Sequence, residues 1–420
     1  MIRILWLVFF FSPVLLAAQA EDFPYEVSSN TLNKLKEYSG KNSAEAMQMP
    51  YVVLVSIDGY RYDYTQRYGA KNLNSFGVKA KWMIPSFPSK TFPNHYAIIT
   101  GMYPGNHGLV SNTFYSREKK QKYSISDREK VRDEFWYYGT PLWVGANERQ
   151  MVSASMFWVG SEAPVKGILP NYYFDYDRSI SNEERVNMTV NWLYLEEEIR
   201  PHFITLYFEL IDDLGHDYGP DSDEIASGVG KIDRIIGDLK NKLDQTGLPV
   251  NIIIVSDHGM MDIIKDDPID LSPYQNDAAV ITSSFPVMIY SEDQEYLDSA
   301  YVKLRRDDRV SVYRRDSLPE HYHYHLPDRI GDLVITPKPG YFPNWGGKIR
   351  SAATHGFDIN ETTTMGAIFY ADGPDFKEDL IIEPFENIHV YSLIAELLGI
   401  PYEYSAIDGN KEALQKILKK

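Results

Sequence analysis

Three aspartates in this chain each close an apolar run. Tyr51-Val-Val-Leu-Val-Ser-Ile leads to Asp58, the stretch from His202 to Ile211 leads to Asp212, and Val250-Asn-Ile-Ile-Ile-Val-Ser leads to Asp257. Imidazoles accompany them. His216 lies four residues after Asp212, His258 follows Asp257 directly, and His355 stands in Thr354-His355-Gly356. One aspartate after a strand is ordinarily a turn former or a helix cap. Three such acids brought to one place repel one another, and burying them is costly unless cations neutralise the charge. Oxygen and imidazole donors without thiolate suit Zn²⁺ in a catalytic setting, and three Asp with three His are enough for two ions. The chain has no cysteine, which excludes disulfides, thiolate ligands and a cysteine nucleophile.

A second group is Pro85-Ser-Phe-Pro-Ser-Lys-Thr91-Phe92-Pro93-Asn94-His95, followed by the apolar residues 96–100. It reads as a loop entering a helix, with Thr91 near the helix N-terminus and Pro93 tolerated in the first turn. The Thr91 hydroxyl has two roles open to it. It caps a backbone N–H, or it acts as a nucleophile at the positive end of the helix dipole, where a phosphoryl group is also favoured.

The elements that must position these residues follow from the patterning. Continuous apolar runs mark strands buried on both faces, as in parallel sheets. Helices are expected between them, over 182–195 with Ser181 and Asn182 as caps, and over 223–243. In the latter, Ile225, Val229, Ile232, Ile235, Ile236 and Leu239 recur at three-to-four spacing. A last helix over 388–398 stops at Gly399 before Pro401. The alternation predicts an α/β protein, a sandwich of helices on a largely parallel central sheet, with the ligand site beyond the carboxyl ends of the strands. Residues 262–354 break the rhythm and are expected to form an inserted α+β region, with strands near 310–313 and 332–335.

With 42 Lys+Arg against 59 Asp+Glu, the 420-residue chain carries a net charge of −17, which argues against a general nucleic-acid binder. At 44% hydrophobic and 24% charged it has the composition of an ordinary globular protein. Residues 1–20 read as a signal peptide: Arg3 precedes an apolar run that ends in Ala18-Gln19-Ala20, a small-x-small cleavage pattern. Export to a periplasm or the extracellular space is expected, with the mature chain starting near Glu21. No later stretch is long and apolar enough to span a membrane. Residues 21–50 are expected to wrap the surface and 51–420 to form the catalytic domain.

Taken in order, Ser-Ile-Asp58-Gly, Lys90-Thr91-Phe92-Pro93-Asn94-His95, Asp212-x-x-Gly-His216-x-x-Gly-Pro, Ser-Asp257-His258-Gly-Met and His355-Gly-x-Asp resemble the nucleotide pyrophosphatase/phosphodiesterase family. That family belongs to the alkaline phosphatase superfamily, and the similarity runs from about residue 51 to 398. The resemblance implies an alkaline-phosphatase-like three-layer α/β/α fold and two zinc ions. Asp58, Thr91, Asp257 and His258 match the ligands of one ion, and Asp212, His216 and His355 those of the other. It makes Thr91 the nucleophile of a covalent nucleotidyl-threonine intermediate and Asn112 a phosphate-binding amide. It also implies base-stacking roles for Phe92 and Tyr173. The expected reaction releases nucleoside 5′-monophosphates from small nucleotide diesters or pyrophosphates. Lipid-headgroup phosphodiesterases share the chemistry and remain an alternative, as does, more remotely, a phosphomonoesterase. His321, His323 and His325 would share one face of a strand, but match no family ligand and are read as lining a groove or solvated. His95 and His107 are read as loop supports, Glu196, Glu197 and Glu198 as a solvated helix face, and Trp136, Trp143 and Trp158 as core.

Overall fold

The computed structural model describes residues 23–419, so the expected leader lies outside the described residues. Its frame is a nine-stranded sheet. The strands in chain order are Lys36–Glu37 (β1), Tyr51–Ile57 (β2), Val78–Ala80 (β3), Ser153–Met156 (β4), Tyr172–Tyr173 (β5), Phe203–Phe208 (β6), Val250–Val255 (β7), Phe369–Asp372 (β8) and Leu380–Ile382 (β9), and they lie in the spatial order β1-β5-β4-β6-β2-β7-β8-β3-β9. The core β4, β6, β2 and β7 is parallel throughout, whereas β8 pairs antiparallel with both neighbours and β1 antiparallel with β5.

Alternation along the central strands divides their side chains between two cores. In β2, Val52 and Leu54 join the core on one face, while Val53, Val55 and Ile57 join the core on the other. Strand β7 divides likewise, Ile253 and Val255 against Ile252 and Ile254. Each face is covered by helices. Thr91–Thr100 (α1) and His389–Leu397 contribute Ile98, Ile99, Val390, Leu393 and Ile394 to the first core. Asn182–Asn191 and Asp223–Gln245 contribute Val186, Val190, Val229, Ile232, Ile236 and Leu239 to the second. The fold is the expected three-layer α/β/α sandwich. Fully burying each Val or Ile of β2 stabilises it by about 1.5–3 kcal/mol, so the strand's position between two parallel neighbours is strongly specified.

The helix starts follow their capping residues. Ser181 and Glu184 form a reciprocal capping box, and the Ser222 side chain accepts from the Ile225 N–H. The first of these helices ends at Asn191, where a short 3₁₀ turn, Trp192–Tyr194, takes over.

Outside the main sheet, Ala279–Ile281, Val287–Ser291, Val310–Arg314 and Leu333–Pro337 form a separate four-stranded antiparallel sheet with the helix Gln294–Leu304 packed on it. The N-terminal segment wraps the surface and also adds β1 to the sheet edge. The histidines at 321, 323 and 325 do not lie on a strand. Glu320–Tyr322 is a 3₁₀ turn and His323 takes a left-handed conformation, φ 48°. Tyr322 stacks on Phe87 at 3.7 Å and Tyr324 donates to the Val110 carbonyl, so the buried tyrosines fix this segment. Among the described residues no helix is long and apolar enough to cross a membrane.

Candidate functional site

The parallel register brings the key acids to one level. Ser56 of β2 pairs with Val255 of β7, and Ile57 pairs with Phe208 of β6. Asp58 and Asp257 thus leave adjacent strands side by side. Asp212 arrives differently from the expectation. Strand β6 ends at Phe208, and Asp212 sits in the first turn of the helix Leu210–Tyr218 (α2). Gly59 lets the two elements close up. It adopts φ +67°, and a Cβ there would lie 2.8 Å from the Asp212 Cα.

Three imidazoles complete the cluster, all oriented the same way. The Nδ1–H of His216 donates to the Ala353 carbonyl, that of His258 to Gly259 and that of His355 to Ser89, each at 2.9 Å. A carbonyl can only accept, so each ring carries a proton at Nδ1 and turns Nε2 towards the acids, as a lone pair whenever the ring is neutral. His258 Nε2 lies 2.9 Å from Asp257 Oδ2 and 3.6 Å from Asp58 Oδ1. Asp212 Oδ1 is 3.5 Å from His216 Nε2 and 3.8 Å from His355 Nε2. Anchoring the far nitrogen to a carbonyl is the usual arrangement of metal-binding histidines.

Asp58 Oδ1, Asp212 Oδ1 and Asp257 Oδ2 are buried without any hydrogen-bond partner. Lone pairs face lone pairs, an arrangement that only a cation or extra protons relieve. Two sets of ligand atoms, from Asp58, Asp257 and His258 and from Asp212, His258 and His355, each fit within 4.8 Å. The donor set therefore fits divalent metal. His216 stands at the rim beside Asp212. The electrostatics reflect the crowding. Burial, compounded by Asp257 and Asp212, pushes the Asp58 carboxyl well above its ordinary range. Burial also acts on Asp257, but the rings of His258 and His95 outweigh it and hold that carboxyl well below. Burial, with His258, Lys90 and His216, holds His355 well below the usual imidazole range.

Thr91 is the first residue of α1, and its cap is Lys90, so the hydroxyl is not spent on capping. It lies instead 3.3 Å from His258 Nε2. The Phe92 N–H donates to Asn112 Oδ1 at 3.0 Å, which seats the Asn112 amide beside Thr91. Tyr207, absent from the sequence expectations, donates its hydroxyl to Asp58 Oδ2 at 2.5 Å. Lys90 is buried, donates to the His355 carbonyl and is lowered to about 8 by burial against the partial compensation of Asp212, Asp58 and Asp257. His95 supports the segment that carries Thr91, as expected, bridging Ser56 Oγ at 2.7 Å and the Thr91 carbonyl at 2.9 Å. His107 holds the Pro93 carbonyl at 3.0 Å.

Residues 52–358 match the family profile described as type I phosphodiesterase / nucleotide pyrophosphatase. The chain belongs to this family. It is 34% identical over 394 residues to mouse ectonucleotide pyrophosphatase/phosphodiesterase family member 1, covering 89% of this chain and 43% of that protein. It is also 34% identical over 387 residues to the venom phosphodiesterase CdcPDE of the rattlesnake Crotalus durissus collilineatus, covering 88% and 46%. The chain thus spans less than half the length of these relatives. Among solved structures it superposes on human ectonucleotide pyrophosphatase/phosphodiesterase 5 with a TM-score of 0.82 at 29% identity, over 88% of this chain and all of that one. The murine counterpart, in an inactive threonine-to-alanine form in complex with AMP, gives 0.83 at 28% identity, again over 88% of this chain and 100% of that one.

In this family member the acids open onto a cavity of about 240 Å³, lined at its reacting end by Asp58, Thr91, Asp212 and Tyr207. Its other walls are mostly aromatic and apolar, with Phe92, Phe157, Trp158 and Tyr176, and carry the charged side chains of Arg128, Glu162 and Arg178. Phe92 is where the sequence places it. Tyr173 is not part of the cavity. It lies in β5, buried, opposite Lys36, with its ring stacked on Tyr38 at 6.0 Å. The chain leaves the strand after Tyr173, and Tyr176, three residues on, is the tyrosine that reaches the cavity. Trp158 belongs to the core as expected and also lines the cavity, with its Nε1–H donating to the His95 carbonyl. Trp136 and Trp143 are core as expected.

Proposed function

We propose that this chain is an exported, two-zinc phosphodiesterase that cleaves small nucleotide diesters or pyrophosphates and releases nucleoside 5′-monophosphates. The observation that carries this reading is the Thr91 hydroxyl at a helix N-terminus, not spent on capping, set against three acids that each bury an unpartnered oxygen. The nucleotide in the murine neighbour's structure and the inactivity of its threonine-to-alanine form support it. The expected leader, and relatives named as ecto-enzymes or venom components, support export.

Asp58, Thr91, Asp257 and His258 would hold one Zn²⁺, and Asp212, His216 and His355 the second. Bound there, zinc lowers the pKa of a coordinated hydroxyl and neutralises charge on a leaving oxygen. The chain's own groups do the rest. Thr91 Oγ1 attacks phosphorus and the bond to the leaving oxygen breaks, leaving a nucleotidyl-threonine that water hydrolyses. The Phe92 N–H holds Asn112 Oδ1, which leaves the Asn112 NH₂ group to donate to a non-bridging phosphoryl oxygen, and the N-terminal dipole of α1 favours the anion. Phe92 and Tyr176 supply faces for the base, worth about 1–3 kcal/mol per stacked base without demanding a particular one. Tyr207 fixes the orientation of Asp58.

The test compares rates on the nitrophenyl ester of thymidine 5′-monophosphate, nitrophenyl phosphate and nitrophenyl phosphorylcholine, before and after chelation and zinc addition. The nucleotide ester should be hydrolysed fastest, with activity lost to chelator and restored by zinc. A faster choline ester would keep the zinc and Thr91 but discard the nucleotide, and a faster monoester would place the chain in another branch of the superfamily.

A further inference from the structure

The aromatic part of the cavity carries one charged pair. Glu162 is almost completely buried there, and both its oxygens are engaged. Its Oε1 accepts from the Tyr176 N–H at 3.1 Å, and its Oε2 accepts from Arg128 and, at 3.4 Å, from Arg132. The pair therefore abuts the backbone of the tyrosine that offers its face to a base. Arg128 stands on the short helix Arg128–Val131, whose Val131 also lines the cavity. Among the described residues its guanidinium meets no acceptor besides Glu162, which leaves the Nε and Nη1 donors without a protein partner.

Two other polar groups of the cavity are tied within the chain, Arg178 only in part, since among the described residues its Nη1 meets no acceptor. Tyr207 donates to Asp58, and Arg178 donates to the Tyr176 hydroxyl at 3.0 Å and to Asp213 at 2.6 Å. Away from the reacting acids, the cavity thus offers hydrogen-bond donors and a carboxylate already neutralised by two arginines. A ring lying on Tyr176 or Phe92 would meet these donors at its edge. Guanine presents two adjacent acceptors, O6 and N7, on its outer edge, and uracil and thymine present O4, whereas adenine sets its N6 amino donor beside N7 and cytosine presents its N4 amino donor. Donor set against donor leaves both unpaired, so the edge discriminates even though stacking does not.

We propose that Arg128, held in place by Glu162, is a specificity-determining residue that favours bases bearing a carbonyl oxygen, guanine and uracil or thymine, over the amino bases adenine and cytosine. This rests on the nucleotide reading above. It assigns the base preference to the half-exposed cation of the pair and gives Glu162 the positioning role.

The zinc-loaded chain is assayed on the nitrophenyl esters of GMP, UMP, AMP and CMP, with bis(nitrophenyl) phosphate as a base-free diester. Wild type should show kcat/KM about tenfold higher for the guanine and uracil esters than for the adenine and cytosine esters. In Arg128→Leu the spread should fall to twofold or less. Arg128→Lys should keep part of it, as a point charge without the planar fork. Equal rates on the four bases in wild type, or a spread that survives in Arg128→Leu, would overturn the assignment. A preference for adenine and cytosine would do so too, by placing Glu162 rather than Arg128 against the ring. In each of these cases nucleotide esters that still outpace the base-free diester leave the nucleotide reading standing. Nucleotide esters no faster than the base-free diester would overturn both.

Discussion

The two ends of the cavity handle buried charge in opposite ways. At the reacting end, Asp58, Asp212 and Asp257 each keep an oxygen that no protein group satisfies, and three imidazoles turn Nε2 towards them. At the aromatic end, Glu162 is just as deeply placed, yet Arg128, Arg132 and the Tyr176 N–H satisfy it from within the chain. The first arrangement calls for cations or protons from outside the chain, whereas the second is complete on its own and is available as a preformed surface. Chemistry is concentrated where the protein leaves charge uncompensated, and recognition where it does not.

The sharpest way to break this contrast is to remove the proposed nucleophile. Thr91→Ala should lower turnover more than about 10³-fold, while zinc measured by atomic emission stays with the purified protein. Near-normal activity would end the assignment. Chelation should abolish activity and lower the unfolding temperature, since ligand at 100 times its Kd stabilises a fold by about 2.7 kcal/mol. A chelated protein that unfolds at the same temperature as the zinc form would show that the acids are satisfied some other way. At the aromatic end, Tyr176→Ala should reduce kcat/KM for nucleotide esters about tenfold, consistent with one lost stacking face, and affect the base-free diester far less.

A smaller effect concerns the support of the reacting end. Burial lowers His107 to about 3 from an ordinary 6.5. The unfolded chain therefore takes up a proton below about 6.5 that the folded chain refuses until about 3. The stability tied to neutral His107 is intact above pH 6.5 and drains as pH falls towards 3, by up to about 1.4 kcal/mol per pH unit. Urea midpoints between pH 7 and 4 should show a shallower acid loss in His107→Asn than in wild type. The smallest effect is expected at Tyr173, where Phe should change KM for nucleotide esters less than twofold.

How much of this was legible in the sequence differs between the two ends. Asp58, Asp257 and His258 sit directly after uninterrupted apolar strands, so local pattern and spacing expose them. Asp212 was found by the same signal but placed wrongly. The apolar residues Leu210 and Ile211 extend the run of β6 into the first turn of α2, and periodicity alone does not separate a strand end from a helix start at that junction. Phe92 apart, the aromatic end comes from residues between 125 and 178, mostly in connections and short elements without periodicity. In Tyr172-Tyr173-Phe174-Asp175-Tyr176 nothing in the residue types tells which tyrosine leaves the sheet. The pairing of β5 with β1 and β4 decides it, and that is tertiary information. The alternating histidines at 321–325 misled for a related reason: the intervening tyrosines, anchored to Phe87 and Val110, dictate a turn where alternation suggests a strand.

The register of β2 has a consequence for quality control. Its six paired positions with β7 and six with β6 fix where Asp58 emerges. A slip of one residue against either neighbour would move that carboxylate by about 3.3 Å and turn it to the opposite side of the sheet. A misregistered chain would retain much of its secondary structure yet fail to assemble the cluster. Turnover in this protein therefore doubles as a gauge of folding fidelity at the centre of the sheet, sensitive to an error that spectroscopic helix and strand content would pass over.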